Sequence, residues 1–122
     1  MDAVILSKNS VDIYNPKVVR STMGAVFRVP VFYVEDFEGL LKDLKSEGFN
    51  IIATHLSAEK TYYEADYSGK TAILVGNEGN GLSDAVTGLA TEKVIIPMCG
   101  KVESLNASVA AALMMYETGR KR

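Results

Sequence analysis

A chain of 122 residues with 48% hydrophobic and 23% charged side chains has the size and balance of one folded domain, which excludes a disordered segment. A formal net charge of -2 excludes a protein that relies on a global positive field to hold nucleic acid, so any such contact must be local. The single cysteine, Cys99, excludes an internal disulfide, and no apolar run or signal-peptide pattern points to a membrane or to export, so the expected location is cytoplasmic.

Ala3 to Leu6 is a short β-branched run that reads as a buried strand, followed by a polar turn from Ser7 to Ser10. Asn15 before Pro16 marks a helix start, because asparagine caps free N–H groups and proline suits the first turn; Val18, Val19, Thr22 and Met23 would form its apolar side. Val31 to Val34 is a second strand. Asp36 then opens a helix with Phe37, Leu40, Leu41 and Leu44 on one face and Gly48 at its end, acidic early and basic late as the helix dipole favours.

Asn50 to Thr54 reads as a third strand. The polar stretch from His55 to Lys70, with Tyr62 and Tyr63, reads as a long surface connection of the kind that borders sites. Thr71 to Val75 is a fourth strand, continuously apolar, and Val94 to Ile96 a fifth. The last segment, Asn106 to Thr118, is a helix apolar on nearly all sides, which requires cover from the rest of the chain or from a second subunit. The basic tail from Gly119 to Arg122 reads as a solvated helix end, with RNA contact as the alternative.

Strands alternating with helices at this spacing predict an α/β domain over residues 1–122, a parallel sheet with helices on both faces. Ligands in such sheets lie beyond the carboxyl ends of the strands, which points to the segments after Thr54, Val75 and Ile96. After Val75 comes a loop with three glycines, Gly76, Gly79 and Gly81, and a carboxylate, Glu78. Glycine lets a ligand approach the main chain, although a tight strand-to-helix turn would have the same composition. After Ile96, a loop leads to Ser104 and Asn106, either of which could cap the last helix; capping does not readily explain both. Cys99 is not read as a nucleophile, since His55 is the only histidine and nothing places a base beside the thiol.

The pairing of residues 73–82, ILVGNEGNGL, with residues 94–117, VIIPMCGKVESLNASVAAALMMYE, resembles the second and third signature motifs of the SpoU (TrmH-like) family of SPOUT methyltransferases. The stretch from Asn15 to Ala25 is similar to the segment that family carries between its first and second motifs. The resemblance implies a C-terminal trefoil knot, S-adenosyl-L-methionine as methyl donor without a metal, transfer to a ribose 2'-hydroxyl of tRNA or rRNA, and a homodimer. It implies that Gly76, Ile96, Met98 and Leu105 hold the donor through main-chain groups, with Thr54, Asn77, Gly79, Asn106 and Ala107 beside them. Glu78, Ser104 and Asn106 would serve the transfer, Glu78 by orienting an arginine of the first motif.

That first motif and the strand carrying it would precede Ala3, and the sequence starts at Met1. The expectation is therefore a partial catalytic domain. The alternative is a module that binds the donor without turnover. Arg20 and Arg28 do not occupy the motif-one position and are given no role in it.

Overall fold

In the computed structural model, which describes residues 1–77, 80–101 and 105–121, every pairing between strands is parallel. The chain divides into two compact units, Met1–Leu40 and Leu41–Arg122.

In the first unit, β1 (Val4–Ser7) pairs with β2 (Val31–Val34) in the register Val4 to Val31 and Ser7 to Val34. Between them lies α1 (Pro16–Ser21), whose start is the predicted one: the Asn15 side chain accepts from the Lys17 amide at 3.0 Å, with proline in the first turn. The helix is shorter than its apolar pattern suggested. Ser21 and Thr22 turn their hydroxyls onto the carbonyls of Val18 and Val19, an alternative to continued helix. Met23, expected on the apolar side, instead stands in the left-handed region at φ 51 and is 91% exposed. A 3-10 turn, Ala25–Phe27, follows.

The chain passes from one unit to the other within α2 (Phe37–Ser46). Asp36 caps its start by accepting from the Gly39 amide at 2.9 Å. At its end Gly48, at φ +86, allows the Phe49 amide to reach back to Leu44 and the Gly48 amide to Lys45, the paired bonds that close a helix on a left-handed residue.

The second unit is built on β3 (Asn50–Thr54), which lies between β4 (Thr71–Leu74) and β5 (Glu92–Val94). Ile51, Ile52 and Ala53 are fully buried, as a central strand covered on both faces requires. Two further helices complete it, α3 (Asp84–Gly88) and α4 (Ala107–Lys121). The short α3 was not anticipated. Its sequence signal is Ser83, whose hydroxyl accepts from the Val86 amide, but Thr87 and Gly88 weaken any helical pattern.

The fifth strand lies two residues before its expected place. β3 ends at Thr54, paired with Val94, so later residues lose that neighbour; Ile95 pairs instead with Thr61, exchanging hydrogen bonds with Lys60 and Tyr62. Polar Glu92 and Lys93 sit in the strand because Glu92 is held there: its carboxylate accepts from Asn50, Lys60 and the Asp66 amide.

Residues 55–70 are not only a surface connection. They hold a 3-10 turn, Tyr62–Glu64, closed by reciprocal bonds between Thr61 and Glu64, and then deliver Ala65 and Tyr67 into the core. Tyr67 packs with Ile52, Val94 and Met114, and its hydroxyl donates to the Tyr62 carbonyl at 2.5 Å. Burying each such side chain contributes roughly 1.5–3 kcal/mol, so these residues anchor α4 on the sheet.

α4 extends past its predicted end at Thr118. Arg120 pairs with Glu117 at 2.5 Å, and Lys121 donates to the carbonyls of Tyr63 and Ala65, so the basic tail through residue 121 is tied to the fold. Its apolar surface is only partly covered: Met114 is buried, whereas Met115 and Tyr116 are 38% and 82% exposed.

Candidate functional site

The carboxyl ends of β3, β4 and β5 and the start of α4 converge on one cavity of about 430 Å³ within the second unit. That volume lies in the usual range for small-molecule sites, roughly 300–1,000 Å³. β3 contributes Thr54 and, just beyond its end, His55 and Leu56; the segment after β4 contributes Val75 to Asn77 and Asn80 to Leu82. β5 and the residues after it contribute Val94 to Ile96 and Met98, and α4 contributes Ala107 and Ala110, preceded by Leu105.

Local chemistry explains each wall. Gly76 has no room for a side chain, because a Cβ there would stand 2.3 Å from the Gly81 carbonyl carbon and 2.5 Å from the Leu82 nitrogen. The loop after β4 therefore folds back onto Gly76. The Gly81 amide donates to Asn77 at 2.7 Å, and Gly81 takes the positive φ of +63 that the return needs. On α4, Ala107 and Ala110 are one turn apart on the same face, and their small side chains leave the helix wall open to a ligand.

Among the described residues the lining holds no Lys, Arg, Asp or Glu. Its side-chain polar groups are Thr54, His55, Asn77 and Asn80, set among aliphatic side chains and main chain. Such walls suit a nucleoside, whose flat base is apolar on its faces and whose edges and hydroxyls match main-chain donors and acceptors.

Of the residues expected from the sequence, Thr54, Gly76, Asn77, Ile96, Met98, Leu105 and Ala107 line this cavity. Asn106 is not among its walls. Its side-chain oxygen accepts from the Ser108 amide at 2.9 Å and the Ser108 hydroxyl at 2.5 Å, which caps α4. Glu78, Gly79 and Ser104 lie outside the described residues. Sequence reasoning did not name His55, Leu56, Val75, Asn80, Gly81, Leu82, Val94, Ile95 or Ala110 as wall residues. The legible signals were the position of His55 directly after Thr54 and the i,i+3 spacing of Ala107 and Ala110.

The polar cluster around Glu92 lies at the other end of β3. Asn50, four residues from Thr54, donates to Glu92 at 2.6 Å, and Lys60 pairs with Glu92 at 2.5 Å. Burial alone would raise the Glu92 pKa, but hydrogen bonds from Lys60, Asn50 and the Asp66 amide outweigh it and hold the carboxyl below its ordinary value. This network fastens the amino ends of β3 and β5. Cys99 is exposed and free, and no group of three or more metal-ligating side chains occurs among the described residues.

Comparison with known proteins places these features in a wider set. The model of the SpoU rRNA Methylase family matches residues 1–116. An uncharacterized tRNA/rRNA methyltransferase of Synechocystis sp. is 35% identical over all of this chain and 44% of its own length. A crystal structure of an RNA 2'-O ribose methyltransferase superposes with a TM-score of 0.88 at 38% identity, over 99% of this chain and 46% of that one. The AdoMet-bound rRNA methyltransferase from Sinorhizobium meliloti superposes with a TM-score of 0.91 at 31% identity, over 98% of this chain and 46% of its own. The chain thus spans about half the length of these relatives.

Proposed function

Because the chain belongs to the SpoU rRNA Methylase family, we propose that it forms the donor-binding part of an enzyme that methylates a ribose 2'-hydroxyl of tRNA or rRNA. The observation that carries this reading is the convergence of three strand ends and the start of α4 on one cavity lined by aliphatic residues, glycines and a few uncharged polar side chains. S-Adenosyl-L-methionine fits those walls in kind: a nucleoside with a short, flexible charged arm, requiring no metal.

When bound, the donor supplies a methyl group on a sulfonium sulfur; the ribose 2'-oxygen takes it, the hydroxyl proton leaves, and the sulfonium becomes a neutral thioether. The protein's part is to place and to orient. Thr54, Gly76, Ile96, Met98 and Leu105 hold the nucleoside, with Asn77, Gly79 and Ala107 beside it. Glu78, Ser104 and Asn106 are proposed to face the transfer, with Glu78 orienting a cation near the hydroxyl. The C-terminal segment is proposed to thread the family's trefoil knot, and the location to be cytoplasmic. No described helix is long and apolar enough to cross a membrane.

A homodimer belongs to the same proposal. Val109, Met115 and Tyr116 leave an apolar strip exposed on α4, beside a shallow hollow lined by Tyr62, Ala112 and Leu113. A second copy of that helix would cover it, and helices with apolar surface on most sides need such cover.

Titration calorimetry with S-adenosyl-L-methionine and S-adenosyl-L-homocysteine, followed by tritium transfer to unmodified tRNA and rRNA, tests the proposal. Binding and transfer are expected. Binding without transfer would leave a donor-binding module, and binding of neither compound would end the claim.

A further inference from the structure

We propose that His55 contacts the methyl donor directly, its neutral imidazole presenting the Nε2 hydrogen to an oxygen of the ligand. This rests on the assignment of the cavity to the donor.

The backbone of His55 is set by its neighbours. Its amide donates to the Val94 carbonyl at 2.9 Å, continuing the β3–β5 ladder one step past Thr54, and its carbonyl accepts from the Ala58 amide at 3.2 Å. The ring is set by Ser57. The Ser57 amide lies 3.1 Å from Nδ1, and the Ser57 hydroxyl 2.7 Å from the same atom. A backbone amide can only donate, so Nδ1 must present its lone pair, and the proton of the neutral ring then sits on Nε2.

Ser57 accounts for one ring nitrogen only. Nε2 has no hydrogen-bond partner among the described residues, and His55 lines the cavity. If the histidine served the turn alone, Nδ1 would be sufficient and a short polar side chain such as asparagine could do the same work. The described walls lack any lysine or arginine, whereas the donor brings ribose hydroxyls and a carboxylate that need hydrogen donors. An uncharged N–H can meet those oxygens without adding a second positive charge near the sulfonium.

His55 is the only histidine in the 122 residues, so its ring nitrogens give unambiguous signals in the chain labelled with nitrogen-15 histidine. Two-bond nitrogen–proton correlation spectra of the free chain should show Nδ1 bare and Nε2 protonated. Adding S-adenosyl-L-homocysteine should move the Nε2 signal while Nδ1 keeps its bare character. By calorimetry, His55→Ala should weaken binding about three- to tenfold, the loss expected of one hydrogen bond, and His55→Gln, which retains an N–H group at a similar reach, should recover much of it. Binding of the compound with both ring signals unmoved, or with unchanged affinity in His55→Ala, would overturn the role of His55 and leave the cavity assignment standing. Failure of the unaltered chain to bind either donor or product would remove both.

Discussion

The main chain of Gly81 occupies the space that a side chain on residue 76 would need: a Cβ at Gly76 would come within 2.8 Å of the Gly81 carbonyl oxygen and closer still to its carbon. Glycine is required at position 76 by the loop's own return, before any ligand arrives. Gly76→Ala should therefore displace the loop, lowering stability by about 1–3 kcal/mol and donor affinity at least tenfold. Gly88→Ala is the control. It sits in α3 with open space around its missing Cβ, and should raise stability by about 0.5–1 kcal/mol without touching affinity. Urea unfolding and calorimetry check both.

Asn106 has a capping duty that can be separated from a duty toward the ligand. Asn106→Ala should lower stability by about 1 kcal/mol, as loss of an N-cap does. Asn106→Asp retains the capping oxygen and should keep stability within about 0.5 kcal/mol of the parent. If the amide N–H also serves the transfer, methylation should fall in both variants. Full activity in Asn106→Asp would confine the residue to its cap.

Tyr67 makes the core sensitive to alkali. Burial first, and then the nearby charges of Glu117 and Glu92, push its phenol up to about 12. A raised folded value means that the neutral form is favoured in the fold, so the stabilisation is complete below the unfolded value near pH 10 and is lost as pH rises toward 12. Tyr67→Phe should cost about 1 kcal/mol at neutral pH through the lost bond to the Tyr62 carbonyl. It should also flatten the decline above pH 10, as read by thermal melts across pH.

Glu92 has the opposite sign. Its folded pKa is held below the ordinary carboxylate value by Lys60, Asn50 and the Asp66 amide against the effect of burial. The stabilisation is therefore present above the unfolded value and lost as pH falls through the folded one. Glu92→Gln should lower stability at neutral pH by about 1–2 kcal/mol and give a shallower acid limb below roughly pH 4.3.

The exposed strip on α4 makes a prediction about assembly. Tyr116→Lys places a charge where the ring is 82% exposed in a single chain, so folding of the chain should change by less than about 0.5 kcal/mol. If the proposed homodimer forms through this strip, sedimentation velocity should show a dimer for the unaltered chain and a monomer for the variant. An unchanged dimer would move the subunit contact elsewhere.

The elements most legible in the sequence were those whose cause is local. Asn15–Pro16, Asp36 and Gly48 carry capping chemistry in their own side chains or torsions, and all three act as their residue types suggested. Less legible were elements whose cause lies far along the chain. Glu92 and Lys93 make a poor strand in isolation, and only Asn50, Lys60 and the Asp66 amide hold Glu92 in place. Tyr67 looked like part of a polar connection until Ile52, Val94 and Met114 were packed around it.

The sequence by itself determined the parallel sense of the strands, the two motif-bearing loops after β4 and β5, and part of the cavity wall, because apolar period and turn chemistry are properties of neighbouring residues. Only the tertiary structure decided that Ile95 leaves β3 for Thr61, that Gly76 is a seat for Gly81, and that His55 joins the wall with one nitrogen already taken. The Ile95 pairing and the place of His55 depend on segments far apart in the chain, whose contacts leave no period in it, and the return onto Gly76 is local but set by backbone torsions that composition does not specify.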